Sequence, residues 1–410
     1  MMSTMELEGP RTDAPPSVKR CRWSPKRWAI SLASLLAASC GHFDIEHPPL
    51  CSHLLGSLCI KHELTGSRDV TATKSIITSI TSSMVGDDGC TEIGEQANGP
   101  SLCILAYRTI TVSGRLRASG PSPLVLVAAE SISISGNLDV SSEAGGDPAA
   151  LGAGARDCSS VDADGPPGGP NPPAEPDGGG GGAGGSLGSL GGAGGMSGRR
   201  AMEGGQPSHA AMPPGVLVGG CAGGNGGEGV LSKGVTASGD TPGGFGGGAV
   251  YVLAGASISI SGQINASGAG GMGGICEGHE SCNGGGGGGS GGMIGLEAPS
   301  IDVTDTGVIY ANGGGGGGGG GAPPDDNQPP THGLPGSRST GPKAALGGVG
   351  GISAGRGGDG SASASAGMPG ETATPYPQPA GGGGGGGGGV IHVSGTAPGS
   401  LGGMISPPAQ

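Results

Sequence analysis

Cysteine is the residue type whose number and spacing in this chain speak most directly of chemistry. There are ten. Cys21 and Cys40 lie in an atypical N-terminal stretch, and eight follow: Cys51, Cys59, Cys90, Cys103, Cys158, Cys221, Cys276 and Cys282. An even set in an exported chain points to disulfides. Sequence alone leaves about 105 connectivities for eight cysteines. Short-range pairing suggests Cys51 with Cys59, Cys90 with Cys103 and Cys276 with Cys282, which leaves Cys158 and Cys221 to each other. Zinc would need a C-x-x-C pair or histidines at ligand spacing, and the chain offers neither. His42, His47, His53 and His62 crowd one region, and a solvated tether explains them better than metal capture. Acid catalysis would need paired carboxylates. The candidates are Glu130, Asp139, Glu143, Glu297, Asp302 and Asp305, with Asp325–Asp326 in a Pro-rich loop. None forms an evident pair, so no catalytic, cofactor or metal residue is assigned. G-x-G-x-x-G matches arise from composition alone, and no G-K-[ST] follows any of them.

Those cysteines presuppose export, and the N-terminus supplies the signal. Arg11, Lys19, Arg20, Arg22, Lys26 and Arg27 precede an apolar run, Ala29 to Ala38. The run is too short for a membrane span, which needs about 20 residues. A basic lead, a short apolar run and small residues at its end make a signal peptide over residues 1–39. The segment Leu36-Ala37-Ala38-Ser39-Cys40 resembles a bacterial lipobox, with leucine displaced one step from its usual place. That resemblance implies lipidation at Cys40, a membrane partner through the acyl anchor, and, with Gly41 following, the outer membrane; plain secretion is the alternative. Removing the six basic and three acidic residues of 1–39 takes the net charge from −13 to −16, and both tryptophans leave with them. An acidic chain without tryptophan is a poor nucleic-acid binder, so no nucleic-acid partner is expected.

Glycine sets the architectural problem: 101 of 410 residues, against a usual share of about 7%. Glycine costs backbone entropy and brings nothing to bury. Collagen is excluded because no strict Gly-X-Y period runs through the chain. Within this background a unit repeats without gaps over Leu102–Gly120, Leu124–Ser142 and Val250–Gly268. Its third copy reads V-Y-V-L-A-G-A-S-I-S-I-S-G-Q-I-N-A-S-G. Each copy carries three period-2 apolar segments separated by small residues. A looser fourth copy uses Ile294/Leu296, Ile301/Val303 and Ile309/Ala311, and a fifth starts at Val390 and fades at Gly395. Three short strands per unit predict an all-β fold, a right-handed parallel β-helix, with an antiparallel sandwich as the alternative. Asp139 then falls at an outward position shared with Arg117 and Asn265, which reads as a solvated face.

Long insertions separate the copies and contain the runs Gly178–Gly182, Gly284–Gly289, Gly313–Gly321 and Gly381–Gly389. They are open to two readings, disordered linker or ordered polyglycine in a polyproline-II-like form. All would leave after the third segment of a unit and return before the next first segment. The predicted organisation is a signal peptide at 1–39, a Cys-containing tether or cap at 40–101, two units at 102–142, and an insertion at 143–248. Two more units follow at 249–312, then an insertion at 313–389 and a final strand and tail at 390–410.

Fragments such as Gly191-Gly192-Ala193-Gly194-Gly195 and Gly223-Gly224-Asn225-Gly226-Gly227 resemble the glycine-rich part of PE-PGRS proteins, without their helical PE domain. The S-I-S-I-S-G-N-L-D-V-S-S pattern resembles glycine-rich exported lipoproteins of myxobacterial type, a likeness that implies no activity. Polygalacturonase-like N-T-D and G-H-G motifs are missing; Gly278-His279-Glu280 only echoes them. The expected function is a structural or adhesive surface lipoprotein without catalysis, with a surface polysaccharide or protein as partner. The alternative is a carbohydrate-binding or pectate-lyase-like β-helix, with Tyr107, Tyr251 and Tyr310 as a modest sugar platform.

Overall fold

The computed structural model describes residues 49–56, 58–79, 89–144, 150–156, 158, 178–198, 203–207, 215–229, 241–277, 281–323, 329–374, 379–395 and 401–410. The leader with Cys40, His42 and His47, the Pro-rich stretch from Gly165, Gly278–Glu280 and Asp325–Asp326 lie outside them. β1 (Leu50–Cys51) and β2 (Cys59–Ile60) form an antiparallel hairpin. β3 (Ser67–Val70), β4 (Lys74–Ile77) and β5 (Glu92–Gly94) precede the first unit, β6 (Leu102–Val112) and β7 (Arg115–Ser119). The second unit is β8 (Leu124–Ile134) and β9 (Asn137–Asp139), and the third is β10 (Ala249–Ala254), β11 (Ser257–Ile260) and β12 (Gln263–Asn265). β13 (Cys276–Glu277) and β14 (Ser281–Cys282) make a small hairpin. The fourth unit is β15 (Met293–Glu297), β16 (Ser300–Val303) and β17 (Val308–Tyr310); β18 (Val390–Ser394) and β19 (Met404–Ser406) close the chain.

The right-handed parallel β-helix expected from the repeat is not formed. Among the described residues the strands make an open nine-stranded sheet and a six-stranded sheet of order β19-β17-β12-β9-β7-β4, with no closed solenoid. The first two segments of a unit occupy one sheet and the third segment the other. In β6 and β8 the expected first corner is absent. Each runs on for 11 residues, because A-Y-R and A-A-E supply no glycine or proline to break the strand. Unit pairing is parallel, as in α/β sheets, but no helix occurs among the described residues. The antiparallel sandwich is excluded by the same pairing.

The register follows the sequence repeat in most places. Val250 pairs with Leu124, Ile258 with Ile132 and Ile264 with Leu138. In β6 the first segment slips by one, so Cys103 and not Leu102 faces Leu124, and an irregularity at Tyr107/Thr109 restores the alignment. A one-residue slip turns every side chain to the other face. It is tolerated here because both faces are buried. Cys103 and Leu105 join the core between the sheets, with Leu126, Ile134, Leu138 and Ile264. Leu102, Ile104, Val125 and Tyr251 meet a second core under Leu55, Leu58, Ile60 and Leu217. Burial on both faces is the usual condition of a parallel sheet.

The fifth unit also continues past its expected end. After a segment outside the described residues, Ile405 in β19 pairs with Ile309 in β17.

The glycine runs are ordered. Every backbone N–H from Gly284 to Gly292 donates to another segment, at 2.8–3.0 Å. Acceptors recur with period three. Gly285, Gly288 and Gly291 donate to Gly381, Gly384 and Gly387; Gly286, Gly289 and Gly292 donate to Met272, Ala269 and Ala266; Gly284, Gly287 and Ser290 donate to Gly227, Gly224 and Cys221. The carbonyls accept from three further segments, through Gly182, Gly244 and Gly317 among others. Period three is the signature of a polyproline-II-like rod with three residues per turn, and this rod has six neighbours. Runs 313–321 and 381–389 are bonded in the same manner and are buried throughout. A Cβ added to Gly287 would collide with the carbonyl oxygen of Ala183. Large side chains appear on outer rods and point to solvent; Leu334, Leu346, Val349 and Met368 are each more than half exposed. Rods feed directly into first strands, as 241–248 into β10, 284–292 into β15 and 381–389 into β18.

Gly287→Val should therefore destabilise the protein by about 1–3 kcal/mol through overpacking. Gly341→Ala, where a Cβ meets nothing within 4 Å, should leave the thermal midpoint within error. Thermal unfolding followed by circular dichroism checks the pair.

Candidate functional site

Two clusters of titratable side chains are built where loops or rods meet the sheets. The first gathers on Glu297, at the end of β15, whose side chain is 8% exposed. It accepts hydrogen bonds from the Tyr251 hydroxyl, from Ser52 Oγ at 3.0 Å and from the His53 backbone N–H at 2.9 Å; His53 Nδ1 lies 2.6 Å away. Ser52 Oγ also lies 2.7 Å from the Tyr251 hydroxyl. Burial pushes the Glu297 carboxyl up, but the bonds from Tyr251, His53 and Ser52 outweigh it and hold the group below the usual carboxylate range. The Tyr251 phenol is pushed up by burial and by its bond to Glu297. A recess of about 300 Å³ lies beside His53 and Glu297, edged by Pro299 and Ser394. Chemically this is a latch. One carboxylate, saturated with donors, fixes the β1–β2 hairpin over the second core.

The second cluster centres on Asp139. The expectation of a solvated face is corrected here, for Asp139 is 2% exposed. Arg115 Nη2 lies 2.6 Å from its Oδ2 and Arg117 Nη1 lies 3.4 Å from the same oxygen. Ser141 donates to Oδ1 through both its hydroxyl, at 2.6 Å, and its N–H, at 3.1 Å. Burial raises the Asp139 carboxyl, yet the Ser141 hydroxyl and Arg115, with Arg117 behind them, bring it below its ordinary value. Arg117 and Arg338 both reach Glu143, at 3.5 Å. The Tyr310 phenol, buried nearby and facing the Asp139 charge, is pushed up to about 12.

The other candidates are placed as follows. Glu130 pairs with Arg108 at 3.3 Å, at the edge of a recess of about 490 Å³ that also touches His62 and Ile60. His62 Nε2 lies 3.0 Å from Glu92. Asp302 is half-buried in β16 and Asp305 is exposed. Tyr251 and Tyr310 are buried, so they offer no ring face to a sugar; Tyr107 is half-buried with the Arg68 guanidinium 6.0 Å from its ring centre. Among the described residues no group of three or more His, Cys, Asp or Glu could hold a metal ion.

Disulfides join Cys51 to Cys59, Cys90 to Cys103, Cys158 to Cys221 and Cys276 to Cys282. They pin the β1–β2 hairpin, the core edge of β6, one glycine rod and the β13–β14 turn. Among the described residues no helix is long and apolar enough to cross a membrane. The Glu297 latch has no sequence signal, because its partners Tyr251, His53 and Ser52 lie 46, 244 and 245 residues away. No protein-family model, curated protein or solved structure matches the chain.

Both carboxylates sit below their unfolded values, so the stability they confer is present above those values and is lost as pH falls through the folded ones. The thermal midpoint should hold from neutral pH down to about 4.5, the ordinary value for Glu297, and drop below it. Glu297→Gln should cost about 2 kcal/mol at pH 7 and show a shallower decline on acidification. Melting curves across pH 3–7 compare the two proteins.

Proposed function

We propose that the protein is a non-catalytic structural or adhesive component of the cell surface, tethered through a lipid on Cys40. The observation that carries this reading is the glycine bundle. Its interior is mostly glycine backbone, hydrogen-bonded from segment to segment. Four of the acids weighed for catalysis support the same reading: Asp139, Glu143, Glu130 and Glu297 are engaged with arginine, histidine or tyrosine. Disulfides suit an oxidising compartment outside the cytoplasm, and a basic lead with a short apolar run ahead of Cys40 supports export. Acyl chains at Cys40 would give stable anchoring without a transmembrane helix.

Metabolic labelling with a palmitate analogue tests the tether. The wild-type chain should take up label and fractionate with membranes, and Cys40→Ala should lose both properties; equal labelling of the two proteins would overturn the anchor.

A further inference from the structure

Asparagine stands directly before glycine at four places in the chain, Asn98, Asn225, Asn283 and Asn312. Asparagine is a chemically labile residue. It is most so before glycine, where no Cβ hinders attack on its side chain. The backbone nitrogen of the glycine attacks the side-chain carbonyl carbon. A C–N bond forms, the bond to the side-chain nitrogen breaks, and ammonia leaves. Water then opens the cyclic imide at one carbonyl or the other, giving aspartate or isoaspartate. This chemistry needs two freedoms. The attacking N–H must give up its proton, so it cannot be tied in a hydrogen bond, and the side chain must be free to swing onto it.

In the glycine bundle both freedoms are missing. Gly226 donates to the Thr241 carbonyl at 2.9 Å, Gly284 to that of Gly227 at 2.9 Å and Gly313 to that of Ser361 at 2.8 Å. The side chains are held as well. Asn225 Oδ1 accepts the Gly243 N–H at 3.1 Å, Asn283 Oδ1 accepts the Gly229 N–H at 2.9 Å, and Asn312 Nδ2 donates to Ser339 Oγ at 3.0 Å. Asn98 differs on each count. It is exposed, in the turn that follows β5. Among the described residues neither its side-chain amide nor the Gly99 N–H has a hydrogen-bond partner.

The fold itself imposes this dipeptide. Asn98 has a φ of 64°, a left-handed conformation that asparagine tolerates better than most side chains. Gly99 has no substitute, because a Cβ there would lie 2.4 Å from Val216 Cγ1. The loop passes that close because Gln96 Nε2 donates to the Pro100 carbonyl at 2.8 Å and to the Leu217 carbonyl at 3.0 Å. We infer that Asn98 is a self-modification site, converting to aspartate and isoaspartate in the folded protein, and that the glycine bundle protects the other three asparagines. The inference goes beyond the reading above and requires neither a lipid anchor nor an adhesive role.

The test ages the purified protein in mildly alkaline buffer, once folded and once unfolded in guanidinium with its disulfides reduced. Proteolysis and mass spectrometry then follow each asparagine. In the unfolded chain all four should convert at similar rates. In the folded protein Asn98 should convert at least about tenfold faster than the others, the factor that one hydrogen bond supplies. Asn225 is the sharpest comparison, since it is exposed as Asn98 is and differs in the bonded N–H of Gly226. Asn98→Gly, which keeps the left-handed backbone, should melt as the wild type does and show no mass gain in that peptide. Three results would overturn the inference: Asn98 that converts in the unfolded chain but not in the folded one, any of the other three asparagines keeping pace with it in the folded protein, or a mass gain in the Asn98→Gly peptide equal to that of the wild type.

Discussion

The structure depends on what a chain without Cβ atoms can do. A buried backbone must hydrogen-bond every N–H and C=O. In a sheet this is done with two neighbours, and side chains fill the space above and below. A polyproline-II-like rod turns its amide groups in three directions, so it needs neighbours all around. Those neighbours come so close that a side chain has no room, as the carbonyl of Ala183 shows for Gly287. Rod 284–292 meets this condition on every side. Its single non-glycine, Ser290, accepts the Cys221 N–H on its hydroxyl at 2.8 Å. Net hydrogen-bond stabilisation of about 1 kcal/mol per bond then works against the large backbone entropy of glycine.

Everything else sets the conditions for that packing. The two sheets build an ordinary apolar core from Val, Ile and Leu, and their parallel register fixes the points from which rods depart and return. Rod 266–274 continues from β12, turns through the Cys276–Cys282 hairpin and returns as rod 284–292 into β15. The Cys158–Cys221 bond ties a further rod to the segment after the second unit. Exposed Leu334, Leu346 and Val349 stand on outer rods, where a large side chain keeps another rod from approaching. Burial of polar groups follows the same logic at the junctions, where Glu297 and Asp139 are covered only because each is surrounded by donors.

Much of the sheet geometry was legible in the chain, because a period of two fixes which residues share a face. The gap-free match of Val250–Gly268 to Leu124–Ser142 is the pairing that forms. The closure was not legible. Three apolar segments suggested three corners, but β6 and β8 pass straight through the first of them. The slip at Cys103 was hidden because Leu102, Cys103, Ile104 and Leu105 are all apolar and all buried. Asp139 looked solvated because its outward place in the repeat is shared with Arg117 and Asn265. Those same residues are what bury it, together with Arg115 on the neighbouring strand. For the glycine runs the sequence left order and disorder open, since composition carries no information about neighbours. The choice rests on how many runs the sheets bring side by side.

Amide hydrogen exchange reads this packing directly. In the native protein at neutral pH, the amides of residues 284–292 should exchange as slowly as those of β8 and β10, since both are buried and bonded, and those of the exposed residues Thr340 and Lys343 should exchange at once. Unprotected exchange through 284–292, with β8 and β10 still protected, would contradict an ordered glycine bundle.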